Sequence, residues 1–196
     1  MRPMDTGILI FDDAEELDFA GPWEVFGMAA ELRGKGSVVA IGEQKRPVRA
    51  SKGLRVVPDF GFDDAPPIDV VVVPGGQGTR REVNNGALVE WLRQTAKSCT
   101  WVTSVCTGTL LLHEAGIARG KRVTTHWSFV ETLRARGDVT VVADERWVVD
   151  GSLVTAAGVS AGIDMALWLV GQIDGVDFAR NVQRAIEYHP APPYGG

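Results

Sequence analysis

Apolar residues in this chain form short continuous runs that alternate with longer segments of mixed polarity. Short runs rich in β-branched residues are typical of strands buried inside a sheet. They predict strands at residues 7–11, 37–42, 69–74, 100–105, 122–125, 139–142, 147–149 and 153–156. A segment of alternating polarity at residues 44–59 predicts a small hairpin, since it carries Gly53 and Pro58.

The segments between these runs have helical length and carry signals of helix ends. They predict helices at residues 22–33, 87–96, 108–115, 128–136, 159–173 and 176–187. Pro22 is expected to open the first helix, because proline favours the first helical turn. Asp174 is expected to cap the last one. Strands that alternate with helices predict an α/β fold, in which helices cover both faces of a mostly parallel sheet as a three-layer α/β/α sandwich.

Composition narrows the classes of function. The length of 196 residues predicts one domain, residues 1–196. A content of 45% hydrophobic and 23% charged residues is typical of a soluble globular protein. The net charge of −5 comes from mixed signs, and basic residues do not cluster beyond pairs, so no nucleic-acid partner is predicted. The N-terminal apolar run is too short for a signal peptide or a membrane span, and two cysteines make no disulfide framework. We therefore expect a cytoplasmic protein without membrane contact.

The most informative stretch is residues 100–114, in which a predicted strand turns directly into a predicted helix. Cys106 stands at the corner, and its neighbours Ser104, Thr107 and Gly108 are small enough to permit an abrupt turn. This pattern is typical of a nucleophile elbow, here with a thiol. The start of a helix favours the thiolate form, so Cys106 is a candidate nucleophile. The alternative is a cysteine that is merely a small buried apolar residue.

Two other candidate groups follow the ends of strands, where sites of α/β folds are found. Gly76 follows the strand at 69–74, and its backbone N–H together with that of Thr107 would form an oxyanion hole. The alternative is a plain tight turn, which by itself is the more common role of such glycines. Asp18 is expected in the loop between the strand at 7–11 and the helix at 22–33, and it differs from the other acids of this loop because Leu17 and Phe19 enclose it. A carboxyl among apolar groups near a thiolate would have a raised pKa and would act as a general acid or base.

Histidine chemistry and metal binding receive less support from the pattern. His126 follows a predicted strand and would orient or deprotonate the cysteine, or would pack beside Trp127 as a structural residue. His113 lies two helical turns beyond Cys106, which is too far for proton transfer. The cysteines and histidines show no close-set ligand pairs, so no metal site is predicted.

Taken together, four motifs in this order resemble the ThiJ/PfpI superfamily over nearly the whole chain. They are EELDFAGPWEVF around Asp18, DVVVVPGG, SVCTG around Cys106, and TTHW followed by the AAGVSAGIDMALWLV helix. The resemblance implies a flavodoxin-like fold of the class I glutamine amidotransferase type. Within the superfamily, SVCTGTLLLHEAGIARGKRVTTHWSF and the ending QRAIEYHPAPP look most like isocyanide hydratases.

The resemblance implies that Cys106 is the nucleophile, that Asp18 is hydrogen-bonded to it, and that the Gly76 and Thr107 N–H groups form the oxyanion pocket. It also implies a homodimer, a small-molecule substrate and no cofactor. In such an enzyme the thiolate adds to the isocyanide carbon, Asp18 protonates that carbon, and water releases an N-substituted formamide.

Alternative activities within the superfamily remain open. Protease-like members place a histidine directly after the cysteine, whereas Thr107 stands here, which argues against a peptidase. A stand-alone ligand or redox sensor related to the N-terminal domain of AraC-type regulators is one alternative. A glyoxalase-like or deglycase-like enzyme that uses the same cysteine is another.

Overall fold

The predicted alternation of strands and helices is present in the structure, a computed structural model that describes residues 4–194. The strands are β1 (Asp5–Leu9), β2 (Ser37–Ile41), β3 (Val48–Arg49), β4 (Arg55–Val56), β5 (Val70–Val73), β6 (Trp101–Val105), β7 (Arg122–Val123), β8 (Thr140–Val141), β9 (Trp147–Asp150) and β10 (Leu153–Ala156). The helices are α1 (Glu16–Arg33), α2 (Thr79–Glu82), α3 (Gly86–Ser98), α4 (Gly108–Glu114), α5 (Val130–Arg134), α6 (Ala161–Asp174) and α7 (Val176–Ala185). A 3₁₀ turn at Trp127–Phe129 precedes α5.

One six-stranded sheet forms the centre, with the strand order β2-β1-β5-β6-β10-β9. The pairs from β2 to β10 are parallel, and only β9 pairs antiparallel, with β10. All four residues of β5 are buried, as its unbroken apolar sequence predicts. The mostly parallel sheet and the predicted hairpin, β3 paired with β4, are therefore confirmed.

The helices pack in two groups around this sheet. Helices α1, α6 and α7 contact one another, and α4 contacts α2 and α3. The three-layer α/β/α architecture expected from the sequence is thus present. Among the described residues, no helix combines the length and the apolar character that crossing a membrane requires.

The prediction that Pro22 opens the first helix is wrong. Helix α1 begins at Glu16, and Pro22 lies inside it. A proline within a helix removes one backbone hydrogen bond, so its presence here needs compensation. The buried Pro22 ring lies against Gly162 of α6, where an added Cβ would come 3.3 Å from the ring. Packing between α1 and α6 thus overrides the local signal, and it places Asp18 on a helix rather than in a loop.

The predicted cap of the last helix is also wrong. Asp174 is the final residue of α6, and its carboxylate forms a buried ion pair with Arg33 at the end of α1. Gly175 occupies the position before α7. A carboxylate engaged by a buried guanidinium is not available to cap a helix, and this pairing depends on the meeting of two helices that are far apart in sequence.

The start of α4 tolerates no side chain larger than hydrogen at Gly108. A Cβ there would come 2.1 Å from the Val73 carbonyl oxygen and 2.9 Å from that of Pro74. Because these neighbours are backbone atoms of a buried strand, we expect Gly108→Ala to destabilise the fold by about 1–3 kcal/mol or more. Gly86→Ala is the matched control, since nothing lies within 4 Å of its added Cβ. Thermal unfolding checks both, and equal melting temperatures for the two variants would contradict the close approach of α4 to β5.

Candidate active site

Cys106 occupies a strained corner between β6 and α4. Its φ of 58° lies in the left-handed region, which non-glycine residues rarely adopt. The Cys106 N–H donates to the Ala156 carbonyl at 3.0 Å, and the Cys106 carbonyl accepts from the Thr125 hydroxyl at 2.9 Å. These bonds to two other segments hold the corner in place against a strain of about 1–3 kcal/mol. The elbow geometry predicted for this residue is therefore present.

Asp18 lies in the first turn of α1 and is fully buried. Its Oδ2 accepts a hydrogen bond of 2.9 Å from the Gly75 N–H, directly beyond β5. The Gly75 carbonyl in turn accepts from the Glu15 N–H at 3.0 Å, so two bonds tie the start of α1 to this loop. Among residues 4–194, Oδ1 of Asp18 has no hydrogen-bond partner. One oxygen is thus fixed, and the other is free to exchange a proton.

Burial raises the pKa of Asp18 from its usual value to about 7. Removing a carboxylate from water penalises its charged form, and the negative charge of Glu15 adds to this effect. The Gly75 N–H and the Cys106 side chain act in the opposite direction by donating toward the carboxylate. The raised pKa expected for Asp18 from its apolar neighbours is therefore present, and the group changes its charge near neutral pH.

Cys106 is also buried, and its thiol is not activated by its position in the way the sequence suggests. Burial, followed by the negative charge of Asp18, raises the pKa of the Cys106 thiol to about 12. The backbone N–H and hydroxyl of Thr107 lower this pKa, but by less. The expectation that the helix start favours the thiolate form is wrong, because the loss of water on burial raises the thiol pKa by more than the Thr107 donors lower it.

The thiol and the carboxyl interact, although Asp18 is fully buried and does not itself line the cavity. Cys106 lowers the pKa of Asp18 as a hydrogen-bond donor, while Asp18 raises that of Cys106 by its charge. Oδ1 nevertheless lacks a partner at normal hydrogen-bond geometry, so this contact is looser than a full hydrogen bond. Such contacts in an unliganded site commonly tighten when a substrate binds.

The two predicted oxyanion donors lie beside each other, but one of them is occupied. The Gly76 N–H donates to the Thr107 hydroxyl at 3.1 Å, and this hydroxyl also lies 3.2 Å from the Gly76 carbonyl. Gly76 has a φ of 111°, and a Cβ there would come 2.4 Å from the Asp13 carbonyl oxygen, so only glycine fits. A substrate oxygen would reach the Gly76 N–H only after the Thr107 hydroxyl rotates away.

His126 lies in the same cavity as Cys106 and does not contact the thiol directly. Its Nδ1 lies 2.8 Å from the Ser128 hydroxyl and accepts from the Ser128 N–H at the start of the 3₁₀ turn. This bonding fixes the orientation of the ring. His113, by contrast, is buried and pairs with Asp138, in agreement with a packing role.

The cavity that contains Cys106 has a volume of about 330 Å³. Sequence reasoning missed several residues that line it: Glu15, Ser51, Lys52, Gln77, Arg80 and Ser128. The hairpin contributes Ser51 and Lys52, which bond to Glu15 across the cavity entrance. Nothing in the local pattern of the hairpin indicates this contact, because β3 and β4 are far from the cysteine in sequence.

Three larger cavities, of about 400, 410 and 1020 Å³, lie elsewhere and are lined by neither Cys106 nor His126. The smaller cavity is the candidate site because, of these four, it alone is lined by Cys106, a thiol that interacts with a buried acid of shifted pKa. Among the described residues, no group of three histidine, cysteine or acidic side chains is arranged to hold a metal ion.

Comparison with known proteins gives consistent results. The model of the DJ-1/PfpI family matches residues 6–172. An isonitrile hydratase of Pseudomonas putida is 39% identical over 191 residues, which is 97% of this chain and 81% of that protein. The HTH-type transcriptional regulator GbdR of Pseudomonas aeruginosa is 29% identical over 95% of this chain, which spans about half of the regulator (51%). A crystal structure of a ThiJ/PfpI family protein from Pseudomonas syringae superposes with a TM-score of 0.91 at 30% identity, covering 99% of this chain and 78% of that one.

Proposed function

We propose that this chain, which belongs to the DJ-1/PfpI family, is a cysteine-dependent hydratase that converts an isonitrile (isocyanide) and water into an N-substituted formamide. The observation that carries the proposal is the pairing of the Cys106 thiol with a buried carboxyl whose pKa lies at about 7. The similarity to an isonitrile hydratase, 39% over 97% of the chain, supports the choice of substrate class.

The neutral state of the thiol suits the first step of this reaction. An isonitrile accepts both a nucleophile and a proton at the same terminal carbon, so its reaction with a thiol is a net addition of S–H. Asp18, as the carboxylate, takes the proton from sulfur while the C–S bond forms, and it then delivers that proton to the carbon. The product is a thioimidate, R–N=CH–S–Cys106. No standing thiolate is required, and a base with a pKa near the working pH is well suited to move the proton in both directions.

Hydrolysis of the thioimidate completes the cycle. Water adds its oxygen to the thioimidate carbon, one proton goes to nitrogen, and the C–S bond breaks as a second proton returns to sulfur through Asp18. The Gly76 and Thr107 N–H groups are the proposed donors to the developing oxygen charge, once the Thr107 hydroxyl has turned from Gly76. His126 is a proposed supporting residue at the cavity wall.

The test is turnover by the purified, reduced protein and its dependence on pH. We expect the protein to convert a simple alkyl isonitrile into the formamide. NMR spectra monitor the reaction through the loss of the isonitrile signal and the appearance of the formyl proton. Because only the ionised form of Asp18 accepts the thiol proton, kcat/KM should rise with pH up to about 7 and then stay level. At pH 5 it should be about 100-fold below the plateau, with circular dichroism confirming that the fold is intact.

Two outcomes would overturn the proposal. A protein that binds the isonitrile but leaves it unchanged for hours is not a hydratase. A pH profile that stays level from pH 5 to 9 would exclude Asp18 as the group that must ionise.

A ligand sensor is the second candidate function, and the similarity to GbdR over 95% of the chain favours it. A sensor would be stabilised by its ligand without consuming it. The same incubation distinguishes the two functions, because only a hydratase forms formamide. A glyoxalase-like activity, a homodimeric state and a cytoplasmic location stay predictions.

A further inference from the structure

Arg80 lies in the wall of the Cys106 cavity without an acidic partner. It stands at the start of α2, and its guanidinium packs over the Phe129 ring at 4.8 Å from the centroid. No carboxylate among the described residues lies within salt-bridge distance of it, although most other arginines of this chain are paired. Arg80 is exposed to solvent, so its guanidinium is accessible from the cavity, and an arginine fork is well suited to bind a carboxylate.

The hydrogen bonds of Arg80 leave most of its donors free. All the bonds it makes come from Nη1, which donates to the Gly76 carbonyl at 2.8 Å, the Thr79 hydroxyl at 3.1 Å and the Thr107 hydroxyl at 3.4 Å. A guanidinium has five N–H donors, and those on Nη2 and Nε have no partner in the described chain. The side chain is therefore oriented by the protein while its second edge remains available to a ligand.

The other charges of the cavity do not cancel this positive charge. Glu15 also lines the cavity, but its carboxylate is paired with Lys52. Asp18 lies behind the cavity, fully buried and bonded to the Gly75 N–H. The remaining polar lining consists of neutral groups, such as Ser128 and Gln77.

We infer that the substrate of this site carries a carboxylate, which the free edge of Arg80 binds. This inference rests on the proposed hydratase function and names its substrate class, a small isonitrile with an acidic group. Arg80 lies one hydrogen bond from Thr107, the residue next to the nucleophile. Because Arg80, Thr107 and Cys106 line the same cavity, a small substrate can place its isocyano carbon at the thiol and its carboxylate at Arg80. The cavity of about 330 Å³ suits a molecule of this size.

The experiment compares two isonitriles that differ only in charge, isocyanoacetate and its methyl ester. We measure kcat/KM for both with the wild-type protein, Arg80→Gln and Arg184→Gln. Arg184 is an exposed residue of α7 outside the cavity, so its variant matches the change in net charge. The ratio of acid to ester should fall about 10- to 100-fold in Arg80→Gln, which is the effect of losing a hydrogen bond to a charged group. It should not change in Arg184→Gln. A general loss of activity through Thr107 cancels in this ratio.

A binding measurement separates this inference from the proposed function. Calorimetric titration with N-formylglycine and with its neutral amide requires no turnover. We expect the acid to bind at least about tenfold more tightly than the amide to the wild-type protein, and this preference to disappear in Arg80→Gln.

Each outcome then has a definite meaning. Turnover of both isonitriles with an unchanged ratio in Arg80→Gln overturns the inference and leaves the hydratase function standing. Binding of N-formylglycine through Arg80 without any turnover supports the anion site and overturns the hydratase function. Absence of both turnover and binding overturns both.

Discussion

Replacing Cys106 with serine is expected to reduce isonitrile turnover by at least about 10⁴-fold, because the reaction loses the atom that forms the covalent intermediate. Serine has nearly the same shape as cysteine, and the corner at residue 106 is held by backbone bonds to Ala156 and Thr125 that this change leaves in place. The fold should therefore survive. Formamide production by NMR, with a melting curve for each protein, provides the measurement.

Cys99→Ser is the matched control for this variant. Cys99 is the other cysteine of the chain, and burial raises its pKa to about 12 as well. Its thiol donates to the Ile68 carbonyl at 3.5 Å and lies outside the Cys106 cavity. We expect Cys99→Ser to keep its activity. Retention of more than a tenth of the activity in Cys106→Ser would show that sulfur at this corner is not the nucleophile.

Asp18→Asn is expected to lower kcat/KM by about 10²- to 10⁴-fold, the usual contribution of a general acid or base. Asparagine has the size of aspartate and still accepts the Gly75 N–H, but it cannot take the thiol proton. The pH dependence that Asp18 imposes on the remaining activity should disappear in this variant. Glu31→Gln, an exposed change on the same helix, is the control and should have no effect on turnover.

The same variant should be more stable than the wild-type protein at high pH. The pKa of Asp18 is about 7 in the folded protein and 3.8 for an ordinary aspartate, so the folded state holds its proton more tightly than the unfolded chain does. Stability contributed by this group is therefore present below pH 3.8 and is lost as pH rises toward 7, by on the order of 4 kcal/mol in total.

Asparagine has no charge to bury and avoids this loss. We expect the melting temperature of Asp18→Asn relative to wild type to increase between pH 4 and pH 7 and to remain constant above. If the difference in melting temperature between the two proteins stays constant from pH 4 to pH 7, Asp18 is ionised in the folded protein over this whole range. The assignment of Asp18 as a base with a raised pKa would then be wrong.

These two residues illustrate different degrees of predictability from sequence. Cys106 was found from its own neighbours, because a strand, a small-residue corner and a helix are consecutive in the chain. The apolar neighbours Leu17 and Phe19 indicate Asp18 as a functional acid, but the prediction that it lies in a loop is wrong. The helix that carries it runs through Pro22, and contact with α6 determines this. Local propensity predicts only what local interactions decide.

The ionisation of the site shows the same limit. From the sequence, the helix start predicts a thiolate at Cys106, whereas burial in the structure raises the thiol pKa to about 12. The predicted donor at Gly76 is present, and the Thr107 hydroxyl occupies it. The sequence does not predict Arg80 and Lys52 as site residues, because the residues around each of them carry no signal of a functional site.

The sequence by itself therefore determined the order and type of most elements, although not helix α2 or the start of α1, together with the parallel sheet and the corner that presents Cys106. Each of these follows from hydrophobic periodicity and backbone sterics within short segments. Only the tertiary structure decided the charge of the thiol, the pKa of Asp18 and the lining of the cavity. Those properties depend on how much water each group loses and which charges approach it, and both are set by segments that meet only after the chain has folded.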